Sequence, residues 1–167
     1  MNPLDRDAVI LALQASLADL SRRVDALPAS APDLTGREGG WTACQIIEHL
    51  VTVEEGVQRL LESLPSAPPS GKTSRDKDPV IAGLATLPQR IVTPAPFEPT
   101  GRFASTGEGM AALREVRVRT IALAETIPAP WDTRHHHHPI LGDLDIGQWL
   151  LLVATHGDRH ARQLGQD

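Results

Sequence analysis

The chain has 167 residues and 41% apolar content, enough for one core, and residues 1–167 read as a single domain. With 16 basic residues against 21 acidic ones the net charge is −5, and no basic block exceeds Arg22-Arg23, which argues against a nucleic-acid partner. One cysteine, Cys44, rules out an intrachain disulfide, residues 1–7 lack a signal-peptide pattern, and no apolar run approaches the roughly 20 residues of a membrane helix, so a cytoplasmic protein with no membrane partner is expected.

Ile10, Leu13, Leu17, Leu20, Val24 and Leu27 recur at alternating spacings of three and four, the seam of a first amphipathic helix that Pro28 ends. Residues 28–40 are a loop by composition. Thr42 and Gln45 form a capping-box pattern for a second helix, with the seam Ile46, His49 or Leu50, Val53, Val57, Leu60 and Leu64, closed by Pro65. A breaker-rich linker follows, interrupted by a short helix near residues 79–91; residues 93–99 read as extended because residues before proline avoid helix. The third helix starts at Ser105 with Glu108 as capping partner and buries Leu113, Val116, Thr120, Leu123 and Ile127. After a loop over residues 131–143, Asp145 caps a fourth helix whose seam is Ile146, Trp149, Val153, His156, His160 and Gln163. With no convincing strand alternation, this pattern predicts an all-α four-helix bundle. Short connections make helices one and two, and three and four, antiparallel, while the long crossover between helices two and three allows those to run parallel.

The chemistry lies in the last seam. His156 and His160 are four residues apart, on one helix face, and continue an apolar stripe. His49 falls on an inward face of the second helix. Three buried imidazoles without partners are costly, and a shared divalent cation explains them better than three separate hydrogen bonds. Three protein ligands leave a position open for water, a thiol or a substrate oxygen. Gly157 occupies the place of the general-base glutamate in an H-E-x-x-H zincin, so that chemistry is not supported, and the absence of Glu-x-x-His pairs excludes a di-iron carboxylate bundle.

Four stretches carry a family resemblance: Trp41-Thr-x-x-Gln-Ile-Ile-x-His49-Leu, Thr93-Pro-Ala-Pro-x-x-Pro99, His138-Pro139-x-Leu141-Gly142-x-Leu144, and Gln148-Trp149-Leu ending in His156-x-x-x-His160-x-x-Gln163. The chain resembles the DinB-like, or YfiT-like, superfamily of metal-dependent hydrolases over about residues 5–164. The resemblance implies an up-down-down-up bundle, a nickel or zinc ion on His49, His156 and His160, frequent homodimers, and a small-molecule substrate. Relatives include thiol S-transferases using bacillithiol and a mycothiol-dependent isomerase, so a low-molecular-weight thiol is a further expected cofactor. The proline-rich linker departs from the family pattern, and substrate type does not carry over. The alternative is a non-catalytic metal-binding or stress-response bundle, or a dimerisation module.

Other residues have plainer readings. His135–His138 is taken as a solvated loop, the rival being a ring at the mouth of the pocket. Cys44 is read as buried and inert, and Trp41 and Trp149 as core residues at helix ends. Trp131, in a loop between prolines, is open to two readings, a core residue or a shelter for the site, and Arg114 and Arg117 belong to a solvated face. Asp158 and Glu48 lean away from the ligand stripe, so the sequence names no general base.

Overall fold

Long helices form where an apolar stripe coincides with a start signal. The computed structural model describes residues 5–28, 40–72, 75–86 and 92–164. Its helices are α1 (Arg6–Asp25), α2 (Ala43–Ser63), a short α3 (Asp78–Gly83), α4 (Thr106–Thr126) and α5 (Ile146–Ala161). Thr42 and Gln45 close a reciprocal capping box on α2, and Asp145 and Gln148 close another on α5. The Ser105 hydroxyl accepts the Glu108 N–H at the start of α4, whereas the Glu108 carboxylate reaches the Ala104 N–H rather than completing a box. No described helix is long and apolar enough to cross a membrane.

α1 packs along α5 and also meets α4; α2 packs along α4 and also meets α5. The first turn of α1 lies by the end of α4, where Arg6 donates to the Ile127 carbonyl at 2.6 Å. Apolar residues fall into two clusters. One gathers Leu13, Val57, Leu61, Ile146 and Leu150, the other Leu20, Ile46, Ile47, Met110 and Leu113. Between them, along α2 and α4, lies a buried polar layer. Arg117 meets the Glu54 carboxylate through Nε and Nη2 at 2.8 and 2.9 Å, and donates Nη1 to the Leu13 carbonyl at 2.5 Å. Thr120 donates to Glu54 at 2.6 Å, and Gln58 donates to the Val116 carbonyl at 2.6 Å. The layer therefore joins α1, α2 and α4 in one register.

The structure corrects several expectations. Arg117 is not on a solvated face: it is 3% exposed, because Glu54 neutralises it inside the core. Arg114 is exposed, as expected. The buried stripe of α1 is Val9, Leu13, Ser16 and Leu20, with Ile10 and Leu17 only half-buried. The shift has a polar cause: the Ser16 hydroxyl donates to the Ala154 carbonyl at 2.8 Å, and Gly157 lets α1 approach α5 closely.

Residues 135–145 are not a plain loop. His135–His138 forms β1 and Gly142–Asp145 forms β2, an antiparallel hairpin in which His138 faces Gly142 and His135 faces Asp145. The extended run after residue 92 contains a 3-10 turn at Ala95–Phe97. The short helix of the linker spans Asp78–Gly83 and continues as a 3-10 turn to Thr86. The rest of its expected range, residues 87–91, and most of the loop over residues 28–40 lie outside the described residues.

Candidate metal centre

His49 stands two turns into α2, and His156 and His160 stand one turn apart near the end of α5. The structure brings all three together. Nε2 of His156 lies 3.1 Å from Nε2 of His49 and 3.0 Å from Nε2 of His160, and the candidate donor atoms of the trio fall within 4.8 Å of one another. Zinc–nitrogen bonds of roughly 2.0–2.1 Å would place tetrahedral nitrogens about 3.3 Å apart, close to these separations.

Hydrogen bonding on the far side of the rings fixes which nitrogen faces the centre. Nδ1 of His49 lies 2.8 Å from the Phe97 carbonyl, which can only accept, so that nitrogen carries the ring hydrogen. Nδ1 of His160 lies 2.7 Å from the Gln163 amide oxygen and is fixed in the same way. Both neutral rings therefore aim an Nε2 lone pair at His156. One N–H on His156 could satisfy only one of them well, whereas a cation satisfies all three. Protonation is also disfavoured. Burial lowers the pKa of His49, and burial with the neighbouring His160 and His49 rings takes His156 well below its ordinary value. Burial takes His160 down to about 3. A neutral imidazole is the form that ligates a metal.

The centre opens into a cavity of about 610 Å³. Val53, Val57, Leu60, Phe97, Leu152 and Val153 line much of it. Val53 and Leu60 belong to the predicted α2 seam but are only half-buried, because they face this space. Trp149 is 8% exposed and belongs to the apolar core, as expected, while also forming part of the cavity wall; Trp41 is half-exposed on that wall rather than core. Of the two readings for Trp131 the structure shows the core one: it is buried in the apolar cluster with Leu13, and its indole donates to the Ile127 carbonyl. The histidine strand is not merely solvated: His136, His137 and His138 all line the cavity. Arg159 lines it too, buried on α5 with Nη1 donating to the Leu84 carbonyl at 3.3 Å.

Glu48 leans away from the trio, as its helical position requires, but it is 3% exposed and carries an unforeseen task. Its carboxylate accepts four hydrogen bonds: from the Thr100 N–H and hydroxyl at 2.6 and 2.9 Å, the Gly101 N–H at 3.0 Å and the Arg102 N–H at 3.1 Å. Burial raises its pKa, but those bonds outweigh it and hold the group below the usual range. This clamp fastens the segment that follows Phe97, whose carbonyl orients His49. Gln163 was legible as part of the His160 face; a backbone carbonyl at Phe97 leaves no trace in side-chain pattern. Cys44 stays a thiol, its pKa raised by burial and by Glu48, with Sγ 3.5 Å from the Phe103 carbonyl.

A model of the DinB superfamily matches residues 12–164. The chain belongs to the DinB superfamily. Among solved structures, YfiT from Bacillus subtilis matches with a TM-score of 0.66 and 20% identity, over 95% of this chain and 83% of that one. YfiT is described as "a probable metal-dependent hydrolase with an unusual four-helix bundle topology". At that identity the likeness establishes the fold. No functionally curated protein matches the chain. In this DinB bundle, the stretch His138-Pro139-x-Leu141-Gly142 is the turn of the hairpin beside the cavity, and the stretch before Pro99 supplies the Phe97 carbonyl.

Proposed function

We propose that this DinB protein is a divalent-metal enzyme acting on a small molecule, of hydrolase or thiol S-transferase type, with His49, His156 and His160 as ligands of a nickel or zinc ion. The observation that carries the reading is the convergence of three neutral imidazoles, two with their hydrogens fixed on the far nitrogen by Phe97 and Gln163. Imidazole donors suit both ions. A closed structural site needs a fourth protein ligand; among the described residues no carboxylate, thiol or fourth imidazole joins the trio.

When bound, such an ion supplies Lewis acidity that makes a water or thiol acidic near neutral pH. The chain supplies the rest. Phe97 and Gln163 keep the rings in one tautomer and orientation. Apolar side chains line much of the cavity, which strengthens charge interactions at the centre. Arg159, which donates to the Leu84 carbonyl, adds a polar group to the cavity wall. Cys44 is protonated and is not among the residues that line the cavity, so a thiol nucleophile would come from a low-molecular-weight thiol.

The position of Arg6 beside Ile127, and the shared sequence direction of the α2–α4 pairings from Ile47–Gly109 to Glu54–Arg117, support the up-down-down-up order. The family resemblance extends the proposal to a homodimer in the cytoplasm. The test is a screen of zinc- and nickel-loaded protein against thiol–electrophile pairs and simple esters and amides. Turnover that disappears in His156→Ala is expected; a loaded protein inert toward every pair would favour the non-catalytic metal-binding module.

A further inference from the structure

The lining of the cavity has an order along its two long helices. On α2 it runs His49, Val53, Val57 and Leu60; on α5 it runs back through His160, His156, Val153 and Trp149. The two helices point in opposite directions. Ile46 and Ile47, early on α2, share an apolar cluster with Ala161, while Val57 and Leu61, later on α2, share the other with Ile146 and Leu150. Leaving the trio, both helices therefore replace imidazoles with apolar side chains. At about 1.5 Å of rise per residue, His49 and Leu60 stand roughly 16 Å apart along the α2 axis.

This arm keeps apolar surface open. Val53, Leu60 and Leu152 are half-buried, and Val92 and Ile140, 82% and 64% exposed, line the same cavity. Apolar surface gathered in one cavity, rather than scattered singly, is a cost that the apolar body of a ligand removes. Polar groups of the lining are exposed or engaged: Glu98, His136 and His137 face solvent, Gln163 bonds His160, and Arg159 donates to the Leu84 carbonyl. The volume of about 610 Å³ falls within the roughly 300–1,000 Å³ of small-molecule sites.

We infer that the cavity takes an elongated, uncharged alkyl chain, with the polar head at the trio and the tail along Val53, Val57, Leu60, Leu152 and Val153. Placing the head at the trio, and calling the ligand a substrate, rests on the metal-enzyme reading; the apolar arm does not. The substrate class is then a medium-chain alkyl or acyl compound whose reacting carbon lies next to its polar head. Leu60, the farthest of these residues from His49 along α2, sets how much chain the arm accepts.

Straight-chain alcohols from butanol to octanol are the probes, titrated into metal-free protein and followed by NMR chemical shift. Affinity should rise roughly twofold to fourfold per methylene in wild type. In Leu60→Trp the rise should stop short of octanol, with butanol bound as in wild type. Leu60→Asn, similar in size to the original, should flatten the slope for the longest alcohols. Val118→Trp, on an exposed part of α4, should keep the full slope. The matching alkyl hydroxamic acids carry a metal-binding head, and zinc-loaded wild type should bind them roughly tenfold or more tighter than metal-free protein, with the same increment per methylene. A flat alcohol series in wild type, the full slope in both Leu60 variants, or hydroxamic acids bound no tighter with zinc would overturn the inference. If zinc binds and the series is flat, the arm fails while the metal reading stands. If wild type takes up no zinc yet shows the slope and its loss at Leu60, the metal reading fails and the arm stands.

Discussion

The carbonyl oxygen of Phe97 sits 2.8 Å from Nδ1 of His49, and the residue before His49 holds the segment that carries it. Glu48 and His49 are thus consecutive residues with divided labour. One turns its ring into the cavity; the other fastens Thr100, Gly101 and Arg102 from behind. Glu48→Ala leaves at least three backbone N–H groups without their acceptor. A stability loss of about 2–4 kcal/mol is expected in urea unfolding. Zinc affinity should also fall roughly 10–100-fold as the Phe97 carbonyl loses its support. Glu48→Gln should lose less on both scales. Undiminished zinc affinity in Glu48→Ala would separate the clamp from the centre.

Gly157 and Ser16 mark the closest approach of α1 and α5. A Cβ added at Gly157 would fall 2.4 Å from the Ser16 hydroxyl but 3.8 Å from its Cβ. Gly157→Ala alone should destabilise by about 1–3 kcal/mol through overpacking. In a Ser16→Ala background the same change should be neutral or stabilising, since alanine is favoured over glycine in a helix by roughly 1 kcal/mol. A double-mutant cycle by thermal denaturation reads the difference, and simple additivity would argue against the contact.

The buried Glu54–Arg117 pair makes the polar layer sensitive to one-sided change. Arg117→Met leaves the Glu54 carboxylate buried without its cation, and a loss of about 3–5 kcal/mol is expected. Replacing both, as Glu54→Leu with Arg117→Met, should cost markedly less, because no uncompensated charge remains. Urea unfolding of the three variants checks the order.

Acid should destabilise the metal-free protein through the same imidazoles proposed to bind metal. His160 has a folded pKa of about 3 against roughly 6.5 for an unfolded histidine. The unfolded chain therefore binds a proton that the folded one refuses. This contribution is fully present above about pH 6.5 and declines as pH falls toward the folded value. His49 and His156 shift in the same direction. The melting temperature of metal-free wild type should fall between about pH 6.5 and 4.5, with a shallower fall in His160→Gln. Equal slopes would contradict burial as the cause.

The helices and the trio were legible because their signals are local. Capping pairs such as Thr42–Gln45 and Asp145–Gln148 lie three residues apart, and His156 and His160 extend an apolar stripe by one turn. What stayed hidden depends on partners far along the chain. Arg117 looks like any surface arginine until Glu54, 63 residues away, meets it in the core. Glu48 binds backbone N–H groups more than 50 residues on. Four consecutive histidines have no apolar alternation to announce a strand, and β1 forms through pairing with Gly142–Asp145. Ser16 breaks an apolar pattern because its hydroxyl has an acceptor on α5.

Metal stoichiometry by mass spectrometry, on untagged protein loaded with zinc or nickel and then desalted, tests the shared centre most directly. About one equivalent per chain is expected in wild type, falling at least tenfold in His49→Ala, His156→Ala and His160→Ala. Full occupancy in all three variants would contradict it.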